Sequence, residues 1–289
     1  MLDTMQQIIT RAEEEKKPFW EVILENDMAA NEYGREESLA KMLTVWQAME
    51  EASDSYTGQR RSVSGLVGGD GLKMRQYTRR GESMIGGYVS EVITEALCMA
   101  ESNACMRRIV AAPTAGSCGV LPAVLLPLWH KGEIRQIDVL AALYTASGIG
   151  AVIAQRACIS GAAGGCQAEI GTASAMAAGA LVQLRGGTPR QIGEAVAMTL
   201  KNLMGLVCDP VAGLVEVPCV KRNVIGAVNA VSCADMALAG ITSRVPVDEV
   251  IVAMGEVGRR LPHEFRETAL GGLAATPFGQ KVKEQLRED

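Results

Sequence analysis

Residues 160–184 read SGAAGGCQAEIGTASAMAAGALVQL. A run of glycine and alanine leads to Cys166, and from 167 to 184 alanine dominates, with Met176 among it. The apolar–polar alternation of a half-buried strand is absent, and the length and composition predict a helix. Such a helix has little side chain to bridge a gap, so it must pack against close neighbours. The whole chain has this character. Of 289 residues, 48% are hydrophobic but only 4% aromatic, with 31 glycines and 14 methionines, which predicts closely packed helices with small contact faces.

Helical periodicity recurs on both sides of this segment. Residues 1 to 57 read as charged amphipathic helices: Trp20, Val22, Ile23 and Leu24 follow Pro18, then Leu39, Met42, Leu43, Trp46 and Met49 fall at helical spacing. Further helices are predicted over 82–99, 120–129, 137–153, 191–206, 220–239, 247–260 and 279–286. Pro189 stands near a helix start, where proline is tolerated. Between them lie glycine-rich breaks: 58–80 (GQRRSVSGLVGGDGLKMRQYTRR), 112–119 (APTAGSCG) and 160–166 (SGAAGGC), all read as loops. Strand patterns that could build a sheet are missing. The expectation is an all-α chain forming one catalytic domain over 1–289, with 1–57 as a peripheral helical layer.

Several function classes are disfavoured at once. A net charge of −5 gives no basic footprint for nucleic acid. Eight cysteines in a chain of this length are too sparse for a disulfide scaffold. The charged N-terminus has no apolar signal region, and a reducing, cytoplasmic compartment is expected. The uncharged run 109–129 is long enough to span a bilayer, but Pro113, Pro122 and Pro127 break it, and no membrane partner is expected. There is no P-loop, no GxGxxG after a strand and no G-x-S-x-G elbow. His130 and His263 are the only histidines, and Lys73, Lys201 and Lys221 lie in no motif that suggests a Schiff base.

Two loops suit an anionic ligand. Residues 114–119 offer Thr114, Gly116, Ser117 and Gly119 at a probable helix start; residues 64–71 offer Ser64, Gly65, Gly68, Gly69 and Asp70. Glycines admit close backbone approach, and free N–H groups favour a carboxylate or phosphate. The plainer alternative for each is a tight turn between helices. Among the cysteines, Cys98, Cys105, Cys158 and Cys233 read as core fillers and Cys118 is ambiguous. Cys166, and Cys208 and Cys219 in CDPVAGLVEVPC, sit in irregular, Gly- or Pro-marked backbone. They could be fillers, a disulfide or ligands to something soft, and their spacing fits neither a zinc ribbon nor a ferredoxin.

Taken in order, SGLVGGDG, APTAGSCGVLPA, SGAAGGCQAEIG, CDPVAGLVEVPC and the following KRN resemble the iron–sulfur L-serine dehydratases (L-serine ammonia-lyases), in the separate alpha-chain form of the two-subunit bacterial enzymes. The resemblance implies an all-α catalytic domain with a [4Fe–4S] cluster held by Cys166, Cys208 and Cys219. It implies β-elimination of water from L-serine to give pyruvate and ammonia, with Thr114 and Ser117 at the substrate and the 64–71 loop as a second wall. Longer single-chain members carry a Ser-Ser-Ser-His-Thr motif on an extra domain. This chain has no such motif, so a separate beta subunit is expected to supply that domain. A cysteine desulfidase-like lyase, a non-catalytic iron–sulfur sensor and a pyridoxal-dependent dehydratase are the competing readings.

Overall fold

The computed structural model describes residues 2–288, and among them there is no strand. Thirteen α-helices follow one another: α1 (Met5–Glu14), α2 (Phe19–Asn31), α3 (Arg35–Asp54), α4 (Asp70–Arg79), α5 (Gly87–Ala104), α6 (Val120–His130), α7 (Gln136–Arg156), α8 (Gly161–Gly164), α9 (Cys166–Leu184), α10 (Pro189–Leu203), α11 (Cys219–Leu238), α12 (Val247–Arg260) and α13 (Pro277–Glu288). Local chemistry sets several starts. Thr4 and Gln7 form a capping box on α1, and Thr188 and Gln191 form one on α10, with Pro189 at the first helical position.

The helix predicted at 167–184 is the centre of the molecule. All but three of the 19 residues of α9 are buried, so it has no solvent face. Helices α7, α10, α11 and α6 surround it. Small residues allow that packing: a Cβ on Gly179 would lie 2.2 Å from Ile149 Cδ1 of α7. Ser174 satisfies its hydroxyl by donating to the Gly226 carbonyl of α11 at 2.6 Å. Helix α7 is long and apolar enough to cross a membrane, yet most of that stretch is buried inside the fold. Helices α1, α2 and α3 feed Ile8, Phe19, Trp20, Leu24 and Trp46 into this same core. Asp248 of α12 accepts the Met5 and Gln6 N–H groups at 3.0 and 2.9 Å, fixing the start of α1.

Two expected loops are partly helix: 160–166 contains the single turn α8, and 58–80 is half helix. Residues 58–80 read as loop throughout, but 70–79 form α4. The glycine signal belongs to the turn before it, where Gly68 and Gly69 take φ of +130° and +84°. The cap that starts the helix comes from far along the chain. The buried Glu101 carboxylate of α5 accepts the N–H groups of Gly69, Asp70 and Gly71 at 3.0, 2.8 and 3.2 Å.

Helix α12 crosses the short helix α8 backbone to backbone. A Cβ on Gly258 would sit 2.8 Å from Gly164 Cα and 3.2 Å from its carbonyl oxygen. Gly258→Val should therefore lower stability by about 1–3 kcal/mol. The readout is a lower urea midpoint with an unchanged denaturant slope.

Candidate active site

Cys166 and Cys219 are the first residues of α9 and α11, and Cys208 lies in the connection between α10 and α11. Gln167 places that connection. Its N–H donates to Leu206 O at 2.9 Å, its side-chain oxygen accepts Gly205 N–H at 2.8 Å, and its amide donates to Met254 O at 3.2 Å. Cys208 is clipped to the C-terminal segment by a two-bond bridge: its N–H donates to Phe265 O at 2.8 Å, and Glu267 N–H donates to Cys208 O at 2.9 Å. All three thiols are buried. Burial pushes Cys166 and Cys219 up to about 12 and Cys208 well above its ordinary value. They lie close enough that Cys166 also raises Cys208 and Cys219. Among the described residues, no three His, Cys, Asp or Glu side chains converge as ligands of a single metal ion.

The three residues after Val220 tie the loops to this point. Lys221 pairs with the Asp70 carboxylate at 2.9 Å, reaching the 64–71 loop. Arg222 donates to the Val207 carbonyl at 2.7 Å and to the Asp209 carboxylate at 2.8 Å, so it holds both residues that flank Cys208. Its positive charge lies near enough to Cys166 to oppose the upward shift that burial gives that thiol. Asn223, 1% exposed, donates to Gly116 O at 2.7 Å and Cys219 O at 3.0 Å and accepts Gly119 N–H at 2.9 Å. Each of the three thus secures a different loop.

Thr114 and Ser117 face Glu169, one turn along α9 from Cys166. Thr114 Oγ1 donates to Glu169 Oε1 and lies 3.0 Å from Ser117 Oγ. Gly116 has no side chain because Glu169 occupies the space: a Cβ there would lie 2.6 Å from Oε1. Burial raises Glu169 above the usual carboxylate range, and repulsion from Glu267 adds to it, while the Thr114 hydrogen bond and Arg222 oppose the shift.

The 64–71 loop is fastened to the cysteine segment. Glu216 accepts from the hydroxyls of Ser62, at 2.6 Å, and Ser64. The N–H groups of Gly69 and Asp70 point at Glu101. Gly68 packs against the Arg60 carbonyl, and Gly65 turns the chain at φ +74°. The remaining cysteines lie elsewhere. Cys98, Cys105 and Cys233 are buried, and Cys158 is half-buried. Cys118, fully buried, faces the Met99 carbonyl. His130 and His263 are exposed.

Sequence reading alone missed Glu169, Glu101, Glu216, Arg222 and Asn223. Glu169 had a signal: it is the single charged residue between Arg156 and Arg185. A charge in such a run needs a reason to be there. Glu101 and Glu216 had no such mark, since their partners lie about 30 and about 150 residues away.

The Arg222–Asp209 pair is 12% and 6% exposed. Arg222→Met leaves Asp209 buried without its cation and should cost about 3–5 kcal/mol. Adding Asp209→Asn should recover part of that loss in a double-mutant cycle. Full additivity in urea denaturation would contradict the pairing.

The profile of the family described as "Serine dehydratase alpha chain" matches residues 14–274. A Bacillus subtilis (strain 168) protein named "Probable L-serine dehydratase, alpha chain" is 46% identical over 286 residues, which cover 99% of this chain and 95% of that one. The "L-serine dehydratase, alpha chain" of Peptoniphilus asaccharolyticus is 40% identical over 290 residues, 100% of this chain and 99% of its own length. "L-serine dehydratase 1" of Escherichia coli (strain K12) is 45% identical over 181 residues, 62% of this chain but 40% of that protein. The thiols at 166, 208 and 219, the hydroxyls at 114 and 117 and the side chains of residues 221–223 are therefore to be read in a chain that belongs to the serine dehydratase alpha chain family.

Proposed function

We propose that this chain is the catalytic alpha chain of an L-serine ammonia-lyase whose Cys166, Cys208 and Cys219 hold a [4Fe–4S] cluster. The observation that carries the reading is that three buried thiols lie close enough to raise one another, with Cys208 Sγ and Glu169 Oε2 facing the same point beside Gly161. The donor set fits such a group. It is all thiol, it is not arranged around a single ion, and two of its members stand at helix starts, whose positive dipole ends favour thiolate. Arg222 adds a cation beside Cys166. With three protein ligands, one iron is left open, and that iron supplies Lewis-acid chemistry at the serine hydroxyl.

The chain's own residues bind and orient. The substrate is placed beside the 114–119 turn, with its carboxylate toward the backbone N–H groups of that turn, while the Thr114 and Ser117 hydroxyls, already directed onto Glu169, shape the polar wall. Ser64, Gly65, Gly68, Gly69 and Asp70 form a second wall, kept rigid by Glu216, Glu101 and Lys221. Removal of the Cα proton and departure of water give aminoacrylate, which tautomerises and is hydrolysed to pyruvate and ammonia. A separate beta chain completes the enzyme. Support comes from the lengths of the relatives: those named alpha chains are matched almost end to end, whereas the match covers 40% of the Escherichia coli protein. The eight cysteines, none in a disulfide among the described residues, support a reducing compartment.

The test is anaerobic turnover with the co-expressed beta chain. L-Serine should give pyruvate and ammonia in equal amounts, and the alpha chain alone should be inactive. Ser117→Ala should lower kcat/KM about threefold to tenfold. Turnover of L-cysteine with no turnover of L-serine would replace this reading with the desulfidase one.

A further inference from the structure

We propose that Glu169 receives the α-ammonium group of the amino-acid substrate and thereby restricts the site to amino acids. The inference rests on the ammonia-lyase reading above and assigns one more residue to it. Glu169 is fixed on one side and open on the other. Its Oε1 accepts from Thr114 Oγ1. Because the single Thr114 proton goes to Glu169, the 3.0 Å contact between Thr114 and Ser117 has Ser117 as its donor. The hydroxyl chain therefore runs inward and ends on Glu169, with no proton left over for an anion.

The second oxygen faces the space beside Gly161. A Cβ built there would meet Cys208 Sγ at 3.1 Å, Glu267 Oε2 at 3.4 Å and Glu169 Oε2 at 3.5 Å. That point adjoins the Cys208 thiol, so a group reaching it lies at the proposed reaction centre. Arg222, the guanidinium whose charge Glu169 feels, already donates to Val207 O and Asp209. None of the ion pairs formed by the described residues includes Glu169. A half-buried carboxylate with hydrogen bonds on one oxygen and no cation on the other gains most from a charged donor. L-Serine carries one such group, on the carbon that loses its proton. A hydroxy acid of the same shape carries none and would leave the carboxylate unpaired.

The experiment compares wild type and Glu169→Gln in the complete enzyme with its beta chain. It measures kcat and KM for L-serine and competitive inhibition by L-alanine and L-lactate, which differ in an ammonium against a hydroxyl. The expected result is a rise of about 10- to 150-fold in both the serine KM and the alanine inhibition constant. The lactate constant and kcat should each stay within about threefold. Glu169→Asp, which keeps the charge on a shorter arm, should show a smaller loss selective for alanine, and it serves if Glu169→Gln does not fold. An unchanged serine KM overturns the inference, as does an equal rise for alanine and lactate. So does a fall in kcat at constant KM, which would assign Glu169 to proton transfer. Wild-type enzyme inert toward L-serine would sink the function reading itself, and the inference with it.

Discussion

The first turn of α11 is the constraint on which the site depends. Lys221, Arg222 and Asn223 are consecutive, so their side chains leave the helix about 100° apart and reach three different loops. Arg222 holds the Val207 carbonyl and the Asp209 carboxylate on either side of Cys208, Asn223 holds the 116–119 turn against Cys219, and Lys221 reaches Asp70. Three loops remote in sequence are thus referred to one rigid helix end. Rotation of that turn would displace all of them together. Fixing the supporting shell in this way is what a site with several ligands requires.

Irregular backbone around such a site would be unstable without internal partners, and buried carboxylates provide them. Glu101 caps α4, Glu216 joins the 62–64 hydroxyls to the cysteine segment, and Asp209 accepts both Arg222 and the Leu273 N–H. Each carboxylate replaces lost water with hydrogen-bond donors. The glycine-rich loop at 64–71 shows how this changes a functional reading. Its N–H groups do form an anion cradle, but the anion at 69–71 is the chain's own Glu101. The loop's contribution to a site is then stiffness, delivered through Glu216 and Lys221.

What the sequence made legible follows from the range of each interaction. The central helix at 167–184 could be read because its composition is a local property, and the structure shows it as α9 with nearly every residue buried. Pro189 at the start of α10 is an equally local signal. The helix at 70–79 was hidden because its cap comes from Glu101, and glycine composition alone reads as loop. Cys166, Cys208 and Cys219 stood out by their irregular surroundings, and the fold brings them together. Asn223 and Arg222 could be quoted as part of a motif, but their partners are set by tertiary packing, which no spacing rule contains.

The central claim is that the three thiols at 166, 208 and 219 are one metal-cluster site. Iron and acid-labile sulfide per chain, measured after strictly anaerobic purification, test it most directly. The account predicts about four of each in the wild type. It predicts their loss in Cys166→Ala, Cys208→Ala and Cys219→Ala, with wild-type content in Cys98→Ala, whose thiol packs in the core beside Gly71. Little iron in the wild type, or equal retention across all four variants, would contradict it.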